Sequence, residues 1–330
     1  MGKHARIVEP KTGTVDLAGS LASPNGALDR ILDDIDRLGL GANLLELETK
    51  GYTVVRGVLS AEQIARARAA ILNRVEKITG RRLDPDTASA EDFLGMQYVP
   101  YLLFEDDIFA EILMAERPLA LMTYLLGESC QLSSMGCHFR GPGGAPLLLH
   151  CDNTNGAPAP YSPTAFVGNI NYALSPYTRE NGALIMVPGS HRQCRQPTSQ
   201  ENFSVEDMAT GEALKGAAKG ELNAVRWRDP PGAVAMIIDP GDAVVFHGNP
   251  WHGGLRRDAQ GLRINLAAFF CRQFVQTQEL RGDPTCKAMM ARHGNDARFQ
   301  VLLGGKQPYG WQEEGPPYAL FDTMPRGLHD

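Results

Sequence analysis

From residue 130 onward the chain breaks into short runs that are apolar or alternating. They fall near 130–140, 145–151, 165–175, 183–187, 233–238, 243–247 and 262–272. Turn-forming stretches such as GPGG, PGSH and DPGD separate most of them. The segments before residue 130 carry helical spacing instead. Helices first and many strands afterwards predict an antiparallel β core with helices packed outside it, an α+β to mainly β class. The run LRINLAAFFCR, residues 262–272, sharpens this expectation. Leu262, Ile264, Leu266, Ala268 and Phe270 form one apolar face. Asn265, Ala267, Phe269 and Cys271 form a second, also mostly apolar, which Arg263 interrupts. A strand covered on both faces suits a sandwich with helical backing.

The N-terminal part supplies that backing. Residues 1–25 read as a loose arm, rich in glycine, proline and polar residues. ALDRILDDIDRLGLG has helical spacing and stops at glycine. Tyr52 to Val58 reads as a strand, and the stretch after it as a strong helix with Ser60 and Gln63 placed for a capping box. Ile64, Ala67, Ile71 and Val75 mark its buried stripe. Residues 106–129 read as two helices, the second starting near Pro118. EDFLGMQYVPYL fits neither pattern clearly. A stretch of about 40 residues, 193–232, lacks strand pattern and reads as a lid-like insert. The expected organisation is one domain over 26–330, with helical support over about 26–128.

Composition excludes several classes. With 330 residues and 43% hydrophobic content, the chain can bury a full core. A net charge of −6 without a basic stripe argues against nucleic acid as a partner. No run of about 20 apolar residues points to a membrane, and the first residues lack the apolar centre of a secretory signal. Arg6 stands where a myristoylation pattern requires Ser or Thr. The six cysteines show no C-x-x-C spacing and read as reduced, mostly buried thiols. The expectation is a cytoplasmic protein, with the oligomeric state left open.

Chemistry concentrates in PLLLHCDNTNG, residues 146–156. If the apolar run is a strand, His150 and Asp152 point to one side and Cys151 to the other. A third ligand would come from GDAVVFHGNPWHGG, which offers His247 and His252. Two histidines and one carboxylate on one face of a metal leave open positions, the arrangement of non-haem Fe(II) oxygenases. A structural zinc site would be closed by four protein ligands. A 2-oxo acid could chelate the iron at open positions, and a distal carboxylate on it would need a fixed cation. Arg263 suits that task because a guanidinium grips carboxylate in a two-point fork.

H-x-D at 150–152, a histidine after a G-D-x-V-x-F strand and an arginine eleven residues later resemble the phytanoyl-CoA dioxygenase family. KGYTVVRGVLSAEQI and NGALIMVPGSH resemble two further segments of that family, and the likeness spans about residues 45 to 275. The resemblance implies a double-stranded β-helix, a jelly-roll of the cupin kind. It implies Fe(II), 2-oxoglutarate and O2 as cofactors, with iron held by His150, Asp152 and His252 and the distal carboxylate by Arg263. His252 is preferred over His247 by its spacing to the arginine. The chain departs from the family at Gly254, where a serine often helps to hold the co-substrate, and at Cys151, where glutamine is common. The implied reaction releases succinate and CO2 and oxidises a C–H bond. An aspartate at 152 favours hydroxylation or a related oxidation over halogenation.

Other residues are expected around this centre. Asn169 and Met135 are placed against the co-substrate, and Gln97, Tyr98, His138, Asn171 and Trp311 in the substrate pocket. His191 is expected to brace a turn. The implied partner is a small organic metabolite. Two readings of another class stand beside this one: a catalytically silent 2-oxoglutarate- and metal-binding protein, and a zinc-dependent hydrolase or isomerase on a cupin-like scaffold.

Overall fold

The computed structural model describes residues 26–92, 95–153, 158–206, 221–279 and 284–305. The expected N-terminal arm and Trp311 lie outside them.

Two antiparallel sheets form the core. The larger has six strands in the order β1-β10-β5-β12-β3-β2. These are β1 (Tyr52–Val55), β2 (Met96–Val99), β3 (Gln131–Arg140), β5 (Val167–Ala173), β10 (Ala243–His247) and β12 (Asn265–Cys271). The smaller has the order β4-β11-β6-β9. Its strands are β4 (Leu147–His150), β6 (Leu184–Met186), β9 (Val234–Ala235) and β11 (His252–Gly254). Neighbours in space are mostly distant in sequence, which is the connectivity of a jelly-roll.

Period-two alternation divides the large sheet between two environments. Ile170, Tyr172, Val245, Leu266, Ala268 and Phe270 join a core with the helices. That core runs from Ile31 to Leu303 and is continuous. On the other face, Tyr52, Ala173, Val244 and Phe246 pack with Leu149, Leu184, Met186 and Met236 of the small-sheet side. The layers are therefore helices, large sheet and small sheet, and β12 is buried throughout.

The helical backing follows local signals. Helix Ala61–Thr79 begins with the expected capping box: Ser60 Oγ accepts from the Gln63 amide, and Gln63 Oε1 accepts from the Ser60 amide. Its buried residues are Ala67, Ile71 and Val75. Helix Ile108–Leu113 is followed by Glu116–Leu126, with Pro118 in the first turn. The expected helix forms over Gly26–Arg37 and stops before Gly39, whose φ of 66° is left-handed; a further helix, not expected, covers Gly41–Lys50. β1 stops at Val55 rather than Val58, where Gly57 turns the chain. Among the described residues no helix is long and apolar enough to cross a membrane.

The insert at 193–232 carries a small hairpin, β7 (Ser204–Val205) with β8 (Trp227–Arg228). Its described residues brace β4, an outer strand of the small sheet. Asn202 accepts from the Leu149 amide at 2.8 Å and donates to the Leu149 carbonyl at 2.9 Å. Gln196 does the same for Cys151, both bonds being 3.0 Å. Two side-chain amides thus supply the edge pairing that another strand would have given.

Candidate metal centre

β4 and β11 bring the three candidate metal ligands together. His150 and His252 are direct cross-strand partners, and their rings lie 4.4 Å apart centre to centre. β4 ends at His150, so Asp152 sits just beyond the strand instead of on it. The carboxylate reaches the same side because the Asp152 and Asn153 amides both donate to the Gly248 carbonyl, which curls the chain inward. Gly248 is required there: a Cβ would stand 2.4 Å from Val167 Cγ2 and 2.8 Å from its carbonyl oxygen. Asp152 Oδ1 lies 3.8 Å from His150 Nε2 and 3.6 Å from His252 Nε2. One ligand atom from each residue lies within 4.8 Å of the others.

Hydrogen bonds orient both imidazoles. His150 Nδ1 lies 2.9 Å from the Leu148 carbonyl and His252 Nδ1 lies 3.0 Å from the Pro250 carbonyl. A proton on each Nδ1 leaves each Nε2 lone pair facing Asp152, as a metal requires. Burial holds the His252 pKa below the ordinary histidine value, against the opposing pull of Asp152. Neutral imidazole is the ligating form. Asp152 Oδ2 is buried and has no hydrogen-bond partner. Two neutral imidazoles and an under-satisfied carboxylate fit a divalent cation of borderline character, such as ferrous iron.

His247 lies elsewhere. Its Nε2 donates to the Pro163 carbonyl at 3.1 Å, and its Nδ1 accepts from the Asn249 amide at 3.0 Å. It holds the loop between β10 and β11. Cys151 points away from the ligands: its Sγ lies 3.9 Å from the Arg195 carbonyl. Its pKa is pushed up to about 11 by burial. All six cysteines are free thiols. His191 sits beside Gly51 and Pro250 in a short 3-10 turn, with its ring 6.0 Å from that of His247.

The ligand atoms open into a cavity of about 300 Å³. His138, Asn169, Asn171 and Arg263 line it, and so does Tyr98 at its outer part. Met135 does not. Residues of opposite parity on β3 face opposite layers, and Met135 joins Ile170 and Ala268 in the helix-side core. His138, three residues on, takes the cavity side. Gln97 is exposed on β2 and does not line the cavity, whereas its neighbour Tyr98, also exposed, does. No described residue of the 193–232 insert lines it either; those that are described brace β4.

Several buried polar atoms aimed at this cavity lack partners: His138 Nδ1, Asn169 Oδ1 and Arg263 Nε. Native proteins rarely leave such atoms unpaired without a ligand. Asn171 is satisfied, accepting from Tyr177 Oη at 2.6 Å, and Asn265 Oδ1 accepts from the His138 amide at 2.7 Å. Arg263, 5% exposed, stacks its guanidinium over Tyr177 at 4.9 Å and donates to the Gly182 carbonyl. A charged group that deep without a carboxylate is costly unless an anion arrives.

Sequence reading passed over Arg140, Ser134, Tyr177, Asn265 and Gln278, all of which line the cavity. For β3 the signal was present as alternation: Ser134, His138 and Arg140 share the cavity face, while Met135, Cys137 and Phe139 share the other. Arg140 is 1% exposed, and nothing local distinguishes it from an outward-facing strand arginine.

A jelly-roll fold with a His-Asp-His cluster at the edge of its small sheet defines a candidate mononuclear metal centre. The chain belongs to the phytanoyl-CoA dioxygenase family, whose model matches residues 47–264. It is 28% identical over 213 residues to "Dioxygenase af480" of Aspergillus fumigatus, covering 62% of this chain and 58% of that protein. It is 23% identical over 154 residues to the peroxisomal phytanoyl-CoA dioxygenase of Mus musculus, covering 46% of this chain and 40% of that protein. The chain thus spans between about two fifths and three fifths of the length of these relatives. Among solved structures it is similar to HygX from Streptomyces hygroscopicus, solved with nickel and 2-oxoglutarate bound. That match has a TM-score of 0.52 at 17% identity and covers 72% of this chain and 89% of that one, a likeness of fold.

Proposed function

We propose that this protein is an Fe(II)- and 2-oxoglutarate-dependent dioxygenase that hydroxylates, or otherwise oxidises, an unactivated C–H bond of a small organic metabolite. The observation that carries this reading is the pairing of two features in one cavity. His150, Asp152 and His252 converge with one side open, and Arg263 stands buried deeper in the same cavity without an acidic partner. The first feature alone would also suit a hydrolytic zinc ion. The second calls for an organic anion held at a fixed depth, which 2-oxoglutarate supplies and water does not.

Iron(II) with 2-oxoglutarate and O2 furnishes the oxidising power, the acid leaving as succinate and CO2. The chain's own residues do the rest. His150 and His252 present neutral nitrogens because Leu148 and Pro250 take their other ring protons. Asp152 supplies the charge that favours a cation over a proton-bearing site. Arg263 grips the distal carboxylate in a fork, so the keto-acid end faces the metal. Asn169 offers an unpaired side-chain oxygen to the same cavity. Tyr98, His138, Asn171 and Phe269 border the remaining space, where a substrate would lie. The cavity sits at the small end of ordinary ligand sites, which supports a metabolite over a polymer. Family membership supports the same chemistry.

Anaerobic absorbance spectroscopy tests the assignment. Addition of Fe(II) and 2-oxoglutarate to the protein should produce a weak visible metal-to-ligand charge-transfer band. Asp152→Ala should abolish it. An undiminished band in that variant, or none in wild type, refutes the site. Arg263→Ala should raise the 2-oxoglutarate requirement by roughly tenfold or more while metal affinity stays within about twofold. Equal loss of both would remove Arg263 from the anion-binding role. Substrate-triggered succinate release across a metabolite panel would identify the substrate.

A further inference from the structure

Arg140 and Arg263 form a direct antiparallel pair: the Arg140 amide donates to the Arg263 carbonyl at 3.0 Å, and the Arg263 amide donates back at 2.9 Å. Directly opposed residues of an antiparallel pair send their side chains to one face of the sheet. Both guanidiniums line the cavity, and both side chains are buried. Like charges placed opposite each other destabilise a sheet, and burial raises that penalty. No carboxylate among the described residues pairs with either. The Arg140 pKa is lowered to about 9 by burial and then by the neighbouring Arg263 charge, so it remains a cation at neutral pH.

Arg140 is held in place by the backbone. Its Nε donates to the Leu255 carbonyl at 2.9 Å, its Nη2 to the Gly254 carbonyl at 3.1 Å and its Nη1 to the Ala145 carbonyl at 3.3 Å. A guanidinium has five N–H donors. Three are committed, and one on each Nη remains. A glycine makes room for this side chain: a Cβ on Gly182 would lie 3.3 Å from Arg140 Cδ and 2.8 Å from the Leu255 carbonyl oxygen. Gly254 borders it at ordinary contact distance, a Cβ there lying 3.7 Å from Arg140 Nη2. Gly182 also gives its carbonyl to Arg263.

We propose that Arg140 is a second binding residue for the distal carboxylate of the co-substrate, gripping it together with Arg263 across the antiparallel pair. This inference rests on the proposed 2-oxoglutarate dependence. A carboxylate between two fixed cations is held from two directions, so the co-substrate must carry its second acid group at this depth. Monocarboxylic 2-oxo acids, which can chelate the metal but leave the arginine pair unneutralised, are disfavoured.

Calorimetric titration of Mn(II)-loaded protein with 2-oxoglutarate and with pyruvate tests this without turnover. Arg140→Gln should weaken 2-oxoglutarate binding by roughly tenfold or more, Arg140→Lys by a smaller factor, and neither should alter pyruvate or Mn(II) binding. In Arg140→Gln, adding Gly254→Ser should recover part of the loss by placing a hydroxyl where the guanidinium stood. Unchanged 2-oxoglutarate affinity in Arg140→Gln, or equal weakening of both acids, overturns the proposal. If Arg140→Gln fails to fold, Arg140→Lys decides it: the lysine variant must bind 2-oxoglutarate more weakly than wild type and pyruvate equally well. Failure of wild-type protein to bind 2-oxoglutarate at all would instead refute the functional reading beneath it. Binding lost in Arg263→Gln but intact in both Arg140 variants would refute only the second cation.

Discussion

At the scale of single residues, histidine placement has a consequence for stability. Burial lowers the pKa of both His138 and His247 to about 4, and it lowers those of His191 and His252 as well. A histidine whose folded pKa lies below its unfolded value binds a proton more readily when unfolded. It contributes fully above the unfolded value, near 6.5, and loses that contribution as pH falls toward 4. Each such group costs up to about 1.4 kcal/mol per pH unit in that window. Denaturant titrations of metal-free protein should therefore show stability falling between pH 6.5 and pH 4. His247→Gln should make the fall shallower, because Gln can donate to the Pro163 carbonyl without acquiring charge. A slope identical to wild type would mean that His247 is protonated in the fold. His150 and Asp152 were legible as a pair because H-x-D is a local pattern, although the curl at Gly248, not strand alternation, brings the two side chains to one side. The choice between His247 and His252 was not local. Parity does not separate them cleanly, since the Gly248–Pro250 loop intervenes, and the fold assigns one to the Pro163 carbonyl and the other to Asp152.

At the scale of elements, the ligand strand depends on a segment that looked featureless. β4 has β11 on one side, and on the other its backbone is met by Asn202 and Gln196. Removing either amide leaves a buried backbone donor and acceptor unpaired, at a cost of about 1–3 kcal/mol. Asn202→Ala should lower the thermal midpoint and weaken metal binding, although Asn202 touches no ligand. A lowered midpoint with unchanged metal affinity would confine the brace to stability. The capping box at Ser60 and Gln63 was visible in sequence because all its atoms lie within one turn. The edge brace was not visible, because Asn202 and Leu149 are joined only by folding. Alternation on β3 was visible as a pattern, yet its phase was not. Met135 and His138 cannot share a face on a regular strand, and the helix-side core claims the methionine.

At the scale of the whole molecule, three layers divide the labour. The helices bury one face of the large sheet, which frees the other face to carry polar groups such as Asn169, Asn171, Arg140 and Arg263 into an enclosed site. The two arginines repel and Asn169 Oδ1 stands unpaired, so under the proposed function metal and anion should stabilise the fold by linkage. Mn(II) with 2-oxoglutarate at about 100 times its Kd should add about 2.7 kcal/mol. Thermal melts with metal alone, acid alone and both should rank in that sense, with both together highest. No shift with the combination would contradict a site assembled for them.

The sequence by itself determined where most helices and strands form, which strand is buried on both faces and which local motif supplies candidate metal ligands. Each of these depends on the spacing of neighbours along the chain, and side-chain alternation is a property of the backbone alone. Only the tertiary structure decided which face of β3 meets the cavity and that Arg140 stands opposite Arg263. Those outcomes follow from strand register. Register is set by hydrogen bonds between strands far apart in sequence, and a shift of one residue would have turned every one of these side chains to the other face.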